Sequence, residues 1–395
     1  MRDTTMIVPQ IASTGRAMSR AIACLAAIVL GTGVAAAQPP AASTLQRVDS
    51  MAAAEFAHDS IASLTIGVVT PQGLVWTKSY GFADMSTHRL ANRQSVYRIG
   101  SITKMFTALM LQQLAAAGTI RLTDPVERYY PEIKEIRGYS KLAAPITVQQ
   151  LATMTSGISR EPEEEGAFWT GSVATWDSTL HVALPHTNMD HAPGTKFLYS
   201  NIGYAILGAT LGRAAGVPYI QWQKQHVLEP LGMRHTAFEI EPAIAPDVTR
   251  GYDIGNTGTA DPAQSVRESI TGRGYKVPNG AIYTTVDDLS RFLLLQLGHG
   301  PASVVAPARL DSAFNAVLGP DGKPTAQYGV GFGVERKGDR NFYGHNGGVA
   351  GFSALLEFDR DAQVGVIVLR NATGGRVKAL DLGVRALQLL ADAPH

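Results

Sequence analysis

Gly100-Ser101-Ile102-Thr103-Lys104-Met105-Phe106 is the stretch of sequence that decides the fold, and it holds the chain's only Ser-x-x-Lys motif. Apolar residues at helical spacing follow it as far as Gly118, which predicts a helix that begins near the serine and ends at that glycine. Residues three apart share one face of a helix, so the Lys104 amine can reach the Ser101 hydroxyl. The motif therefore suits a nucleophilic serine with a proton acceptor one turn away. Taken alone it also suits an N-cap serine beside a solvated lysine.

Two further motifs follow later in the chain. Tyr199-Ser200-Asn201 is a Tyr-x-Asn triplet, and His345-Asn346-Gly347-Gly348 leads into a strand-like apolar run. This order of motifs resembles the serine β-lactamase and penicillin-binding protein family, and within it the class C β-lactamase-like branch of D,D-peptidases and esterases with a His-x-Gly third motif. Other segments that read like this family are 151–157, 193–204, 229–233 and 279–289.

The pattern of predicted elements indicates an α/β fold, with an antiparallel sheet flanked by helices and an inserted all-helical subdomain. Five β-rich runs lie near the two ends of the chain, and amphipathic helices precede the first and follow the last. The runs are 64–69, 74–80, 328–335, 352–358 and 363–369. We expect the α/β part to cover about 41–121 and 271–392, and the helical subdomain about 122–270. The resemblance implies the same β-lactamase/transpeptidase-like fold, with the active site in the cleft between the two parts.

Residues 1–37 read as an export signal peptide. Arg16 and Arg20 precede a short apolar run, and small residues offer a cleavage site after Ala37. A membrane anchor is the alternative, but the apolar run is short for a span and glycines interrupt it. We therefore predict a periplasmic or secreted hydrolase domain over 38–395 with no stable membrane span after cleavage. Met18 is a second candidate start, and the only cysteine, Cys24, lies within the signal.

The resemblance implies catalytic roles for three side chains. Ser101 would attack a carbonyl carbon and form an acyl-enzyme that water later hydrolyses. Lys104 would be its proton acceptor or electrostatic partner, and Tyr199 would relay the proton to the leaving group. Which of Lys104 and Tyr199 is the general base stays open. Asn201 would orient Lys104 and donate to the substrate amide, with a helix N-cap as its other role.

The third motif is implied to bind the substrate. The backbone N–H groups of Ser101 and Gly348 would form the oxyanion hole, and Gly347 and Gly348 would let a substrate backbone approach the strand. His345 stands where true β-lactamases of this family usually carry lysine, and histidine is only partly charged near neutral pH. His345 can still donate to a carboxylate or to Tyr199, and His-x-Gly resembles D,D-peptidases, D-aminopeptidases and esterases more than resistance enzymes.

Composition and spacing argue against several other classes. With 34 basic and 33 acidic residues and no basic cluster, the chain does not suit nucleic acid. His181, His186 and His191 match no zinc signature. We interpret the acidic run 161–165 as solvated, with a place at the cleft mouth as the alternative.

The sequence thus predicts an exported serine hydrolase without metal or cofactor that acts on an amide or ester bond. The expected substrate is a D-amino-acid peptide, such as a peptidoglycan fragment, or a small ester, with weak β-lactam hydrolysis possible. Two alternatives stay open: a dedicated class C-type β-lactamase, and a non-catalytic protein that binds penicillin or cell-wall fragments. The oligomeric state is also left open.

Overall fold

An antiparallel sheet built from both ends of the chain organises this protein. The computed structural model describes Met1 and residues 39–164, 168–255, 259–261 and 273–393. Apart from Met1, the predicted signal peptide and Cys24 lie outside the described residues. Within them, a seven-stranded sheet has the order β3-β2-β1-β10-β9-β8-β7. The strands are β1 (Ser63–Thr70), β2 (Gly73–Asp84), β3 (Arg89–Leu90), β4 (Tyr97–Arg98), β5 (Tyr252–Gly255), β6 (Tyr283–Thr284), β7 (Gly333–Lys337), β8 (Arg340–Val349), β9 (Phe352–Asp359), β10 (Val364–Arg370) and β11 (Ala372–Gly374).

The two ends of the chain meet in the sheet, where β1 pairs with β10. These strands run antiparallel from Leu64 opposite Arg370 to Val69 opposite Gly365. Every residue of both strands is buried, because helices cover both faces of the sheet at its centre. The predicted antiparallel α/β sandwich is therefore confirmed.

Helices flank the sheet on both sides. The first and last helices pack together, the last against β9 and β10, whereas α8 packs against β1, β2 and β10 from the other side. The helices are α1 (Ala42–Phe56), α2 (Thr103–Ala116), α3 (Val148–Ala152), α4 (Trp176–Ala183), α5 (Asn201–Ala215), α6 (Tyr219–Gln223), α7 (Val277–Gly280), α8 (Val286–Gln296), α9 (Pro307–Asn315) and α10 (Ala379–Ala391). In the described part of 122–270, the regular structure is mainly helical, with β5 pairing in parallel with β11.

One predicted strand is placed too early. The run 328–335 becomes a strand only from Gly333, and Tyr328 forms an isolated bridge to that glycine. Gly331 adopts a positive φ of 85°, and a Cβ at this position would lie 2.3 Å from the Ala108 side chain of α2. The chain therefore turns tightly against α2 before it enters the sheet.

The buried face of α10 supplies the first stability prediction. Leu387 is fully buried in the core between α10 and the sheet, whereas its neighbour Leu389 is partly buried. We expect Leu387→Ala to lower the free energy of unfolding by about 2–5 kcal/mol, because it leaves a cavity in a packed core. Leu389→Ala is the matched control and should cost clearly less. Urea unfolding with an unchanged m-value checks this, and equal losses in the two variants would contradict the placement of α10.

Candidate active site

Lys104 lies in the first turn of α2, and Ser101 lies just before this helix. A short 3-10 turn, Gly100–Ile102, leads into the helix. Gly100 has a positive φ of 49°, and a Cβ there would lie 3.0 Å from the carbonyl oxygen of Gly348. A glycine is needed at this position because the turn bends sharply while it packs against β8. The predicted glycine turn before the serine is thus present.

Lys104 is fully buried, and three oxygens surround its amine. Nζ lies 3.0 Å from Ser101 Oγ, 2.8 Å from Asn201 Oδ1 and 3.0 Å from the carbonyl oxygen of Asn279. Burial lowers the pKa of Lys104 well below its ordinary value, although the Glu161 carboxylate opposes the shift. The oxygens of Asn201 and Asn279 only accept hydrogen bonds, so they take the two N–H groups of a neutral amine. The lone pair then faces the Ser101 hydroxyl, as a proton acceptor requires.

Tyr199 is the second side chain that contacts Ser101. Its phenol is hydrogen-bonded to the Ser101 side chain, and burial raises its pKa to about 12. At pH 7 only about one phenol in 10⁵ with such a pKa is ionised. Lys104 Nζ and the Arg160 guanidinium carbon each lie 4.9 Å from the centre of the Tyr199 ring. In the resting protein Tyr199 is therefore a proton donor, and Lys104 is better suited to accept a proton.

Asn201 is the first residue of α5 and does not cap it. The N-cap is Ser200, whose Oγ accepts from the backbone N–H of Gly203 at 2.9 Å. This leaves the Asn201 side chain free to face Lys104. The Asn201 backbone N–H donates to the carbonyl oxygen of Arg160 at 2.9 Å, which ties the start of α5 to the loop after α3.

His345 lies on β8 with both ring nitrogens engaged. Nδ1 is 2.5 Å from the Asn346 carbonyl oxygen and therefore carries the proton, and Nε2 accepts from the Tyr328 hydroxyl at 3.0 Å. Burial, with a further contribution from Lys104, lowers the pKa of His345 to about 3. His345 is therefore neutral near pH 7, and Tyr328, rather than Tyr199, is its hydroxyl partner.

The glycines of the third motif bring β8 against the serine. A Cβ on Gly347 would lie 1.9 Å from the Ile99 carbonyl oxygen and 3.4 Å from the backbone nitrogen of Ser101. Gly348 is exposed and has open space where a side chain would be. The backbones of Ser101 and Gly348 are thus close together at an accessible edge, as a two-donor oxyanion hole requires.

The structure brings together all seven residues selected from the sequence. The comparison with known proteins identifies the family. A profile of the beta-lactamase family matches residues 48–390. The chain belongs to the beta-lactamase family. Its relatives include protein flp of Staphylococcus aureus strain MW2, which is 26% identical over 85% of this chain. Beta-lactamase-like protein 4 of Dictyostelium discoideum is 28% identical over 81% of it, and the human putative beta-lactamase-like 1 is 26% identical over 88%.

This beta-lactamase family member spans only part of those relatives. It covers 64% of protein flp, 58% of the Dictyostelium protein and 68% of the human protein. Among solved structures, the octameric penicillin-binding protein homologue of Pyrococcus abyssi is similar, with a TM-score of 0.71 and 26% identity. That match covers 88% of this chain and 77% of the other. The predicted resemblance to serine β-lactamases and penicillin-binding proteins is confirmed.

Sequence reasoning missed part of the site of this family member. Glu161 belongs to the acidic run that was interpreted as solvated, yet its side chain is only 9% exposed. It accepts from Asn201 Nδ2 at 2.6 Å and pairs with Lys276. Glu163 and Glu164 of the same run are exposed, as expected. The one indication in the sequence of a role in the site is that Glu161 closely follows Gly157, the last residue of a segment that resembles the family.

A cavity of about 530 Å³ adjoins the catalytic side chains. Its lining includes Tyr199, Tyr328 and His345, together with Glu335 and Glu357. Phe197 is exposed beside Tyr328, with ring centres 6.1 Å apart. The cavity thus combines aromatic side chains with two carboxyl groups, and Tyr199 links it to Ser101.

The described residues show neither a metal centre nor a membrane helix. Among them, no group of three or more His, Cys, Asp or Glu side chains is placed to hold a metal ion. Likewise, none of the helices in the described ranges has the length and apolar character needed to cross a membrane.

Proposed function

We propose that this chain is an exported serine hydrolase that forms an acyl-enzyme on Ser101 and cleaves an amide or ester bond. The observation that carries the proposal is the position of the buried Lys104 amine, which lies within hydrogen-bond distance of the Ser101 hydroxyl and of two oxygens that can only accept. Family membership supports the same chemistry. Export is proposed from the signal-like residues 1–37.

The proposed reaction begins with proton transfer from Ser101 to Lys104. Ser101 Oγ bonds to the carbonyl carbon, and the carbonyl oxygen becomes an oxyanion held by the N–H groups of Ser101 and Gly348. The Tyr199 phenol then gives its proton to the leaving amine or alcohol as the scissile bond breaks, and Lys104 returns a proton to Tyr199. Water attacks the resulting ester and releases the acid, with the same groups working in reverse.

The substrate we propose is a peptide containing D-amino acids or a small ester. Neutral His345 offers no cation at the position where β-lactamases of the family usually carry lysine, and both its nitrogens already have partners. A substrate without a carboxylate at that position, such as an ester or a D-aminoacyl amide, suits this environment better than a β-lactam. Weak β-lactam turnover remains compatible with Ser101 and Lys104.

A substrate panel tests the proposal. The mature protein is incubated with p-nitrophenyl butyrate, D-alanine p-nitroanilide, a D-Ala-D-Ala peptide and nitrocefin, and both product release and intact mass are followed. We expect turnover of the ester or the D-alanyl amide to exceed that of nitrocefin, with a transient acyl mass on the protein. Absence of product and of any acyl mass with all four compounds would overturn the proposal. A nitrocefin adduct that never turns over, with no hydrolysis of the other three compounds, would instead support the binding-protein alternative.

A further inference from the structure

The buried ion pair of Glu161 and Lys276 lies beside the catalytic side chains and has no part in the proposed reaction. Lys276 Nζ is 3.2 Å from Glu161 Oε1, and each side chain is 9% exposed. Lys276 also lies 3.3 Å from the centre of the Trp169 ring, and the Tyr275 hydroxyl donates to Glu161 Oε2. Burying two charges is costly unless both are well paired, so a pair in this place calls for an explanation.

Glu161 determines which way the Asn201 carboxamide points. A carboxylate only accepts hydrogen bonds, so the group that faces it at 2.6 Å is the Asn201 amide nitrogen. The Asn201 oxygen then faces Lys104 Nζ at 2.8 Å. If the carboxamide were reversed, Lys104 would meet an N–H group and lose one of its two obligatory acceptors. The lone pair of Lys104 would no longer be held toward Ser101.

Lys276 balances the charge that Glu161 brings to the site. The Glu161 carboxylate favours the ammonium form of Lys104, whereas three nearby cations favour the neutral amine. These cations are Lys276, Arg160 and Arg273. The aromatic and histidine groups around Lys104 are uncharged near pH 7, since burial raises the pKa values of Tyr199 and Tyr204 and lowers that of His345. An unbalanced Glu161 would thus hold a proton on Lys104.

We propose that Glu161 and Lys276 are positioning residues, which fix the Asn201 carboxamide and balance the charge beside Lys104 so that its lone pair faces Ser101. This inference rests on the proposed function, in which Lys104 accepts the Ser101 proton. It assigns to Glu161 and Lys276 opposite electrostatic effects on one and the same amine. A merely structural role for the pair would not produce opposite effects.

The experiment measures the titration of Lys104 by NMR in protein labelled with ¹³C at lysine Cε, with Lys104→Met identifying the signal. We expect Glu161→Gln to lower the pKa of Lys104, because an attractive charge is lost, and Lys276→Met to raise it, because a repulsive charge is lost. The double variant should lie between the two. Glu163→Gln, an exposed neighbour that pairs with Arg137, is the matched control and should leave the titration unchanged.

Kinetics give the second readout. In Glu161→Gln we expect kcat on the preferred substrate to fall about tenfold with a small change in KM, since glutamine can both donate and accept and so leaves the Asn201 carboxamide free to reverse. Shifts of the Lys104 pKa in the same direction in both single variants, or none in either, would overturn the inference. Because the NMR titration needs no turnover, it decides this point even if the proposed hydrolase activity fails.

Discussion

We expect Ser101→Ala to abolish turnover, with kcat/KM on the preferred substrate falling on the order of 10³-fold or more. The physical reason is that every step of the proposed reaction passes through a covalent bond to Ser101 Oγ. Lys104 and Tyr199 both hydrogen-bond to this side chain, so alanine removes the group on which both act. The measurement is a progress curve with the best substrate of the panel, together with intact mass after rapid quenching.

The matched control for this prediction is Ser312→Ala, an exposed serine on α9. It should keep the wild-type rate and the acyl mass. If Ser101→Ala kept more than a hundredth of the wild-type activity, or still carried the acyl group, the nucleophile would lie elsewhere. The assignment of Ser101 would then be wrong, although family membership would stand.

Local patterns predicted most of the sheet and the helix that follows Ser101. The runs 64–69, 74–80, 352–358 and 363–369 became β1, β2, β9 and β10 with shifts of a few residues at their ends. Such runs are visible because alternating or continuous apolar residues reflect burial directly. The predicted start of β7 was wrong because the chain turns tightly against α2 at Gly331, and no local sequence pattern shows this contact.

The site was harder to predict where it depends on distant partners. Motif order selected Ser101, Lys104 and Tyr199, and the structure places them in contact. Glu161 was missed because an acidic run reads as a solvated surface, and its burial depends on Tyr275 and Lys276, which lie more than a hundred residues further along the chain. The neutral state of His345 likewise depends on its burial and on the nearby Lys104, which a three-residue motif cannot show.

The second large expected effect is the loss of activity when the general base is removed, for which Lys104 and Tyr199 are the two candidates. We expect Lys104→Met to lower kcat/KM by about 10²- to 10⁴-fold, the usual contribution of a general base. Methionine keeps most of the volume of the buried side chain and removes the amine that faces Ser101. Lys134→Met is the control, because Lys134 is an exposed lysine outside the three motifs, and it should behave as wild type.

The pH dependence separates the two candidate bases. In the wild type, kcat/KM should rise with pH as Lys104 loses its proton and then level off, and the rise should lie well below the ordinary pKa of lysine because burial lowers the pKa of Lys104. The rise of kcat/KM with pH should be absent from the residual activity of Lys104→Met. Since the pKa of Tyr199 is about 12, a phenolate base would instead give a rate that climbs throughout the alkaline range. That profile, combined with near-normal activity in Lys104→Met, would assign the proton acceptor to Tyr199.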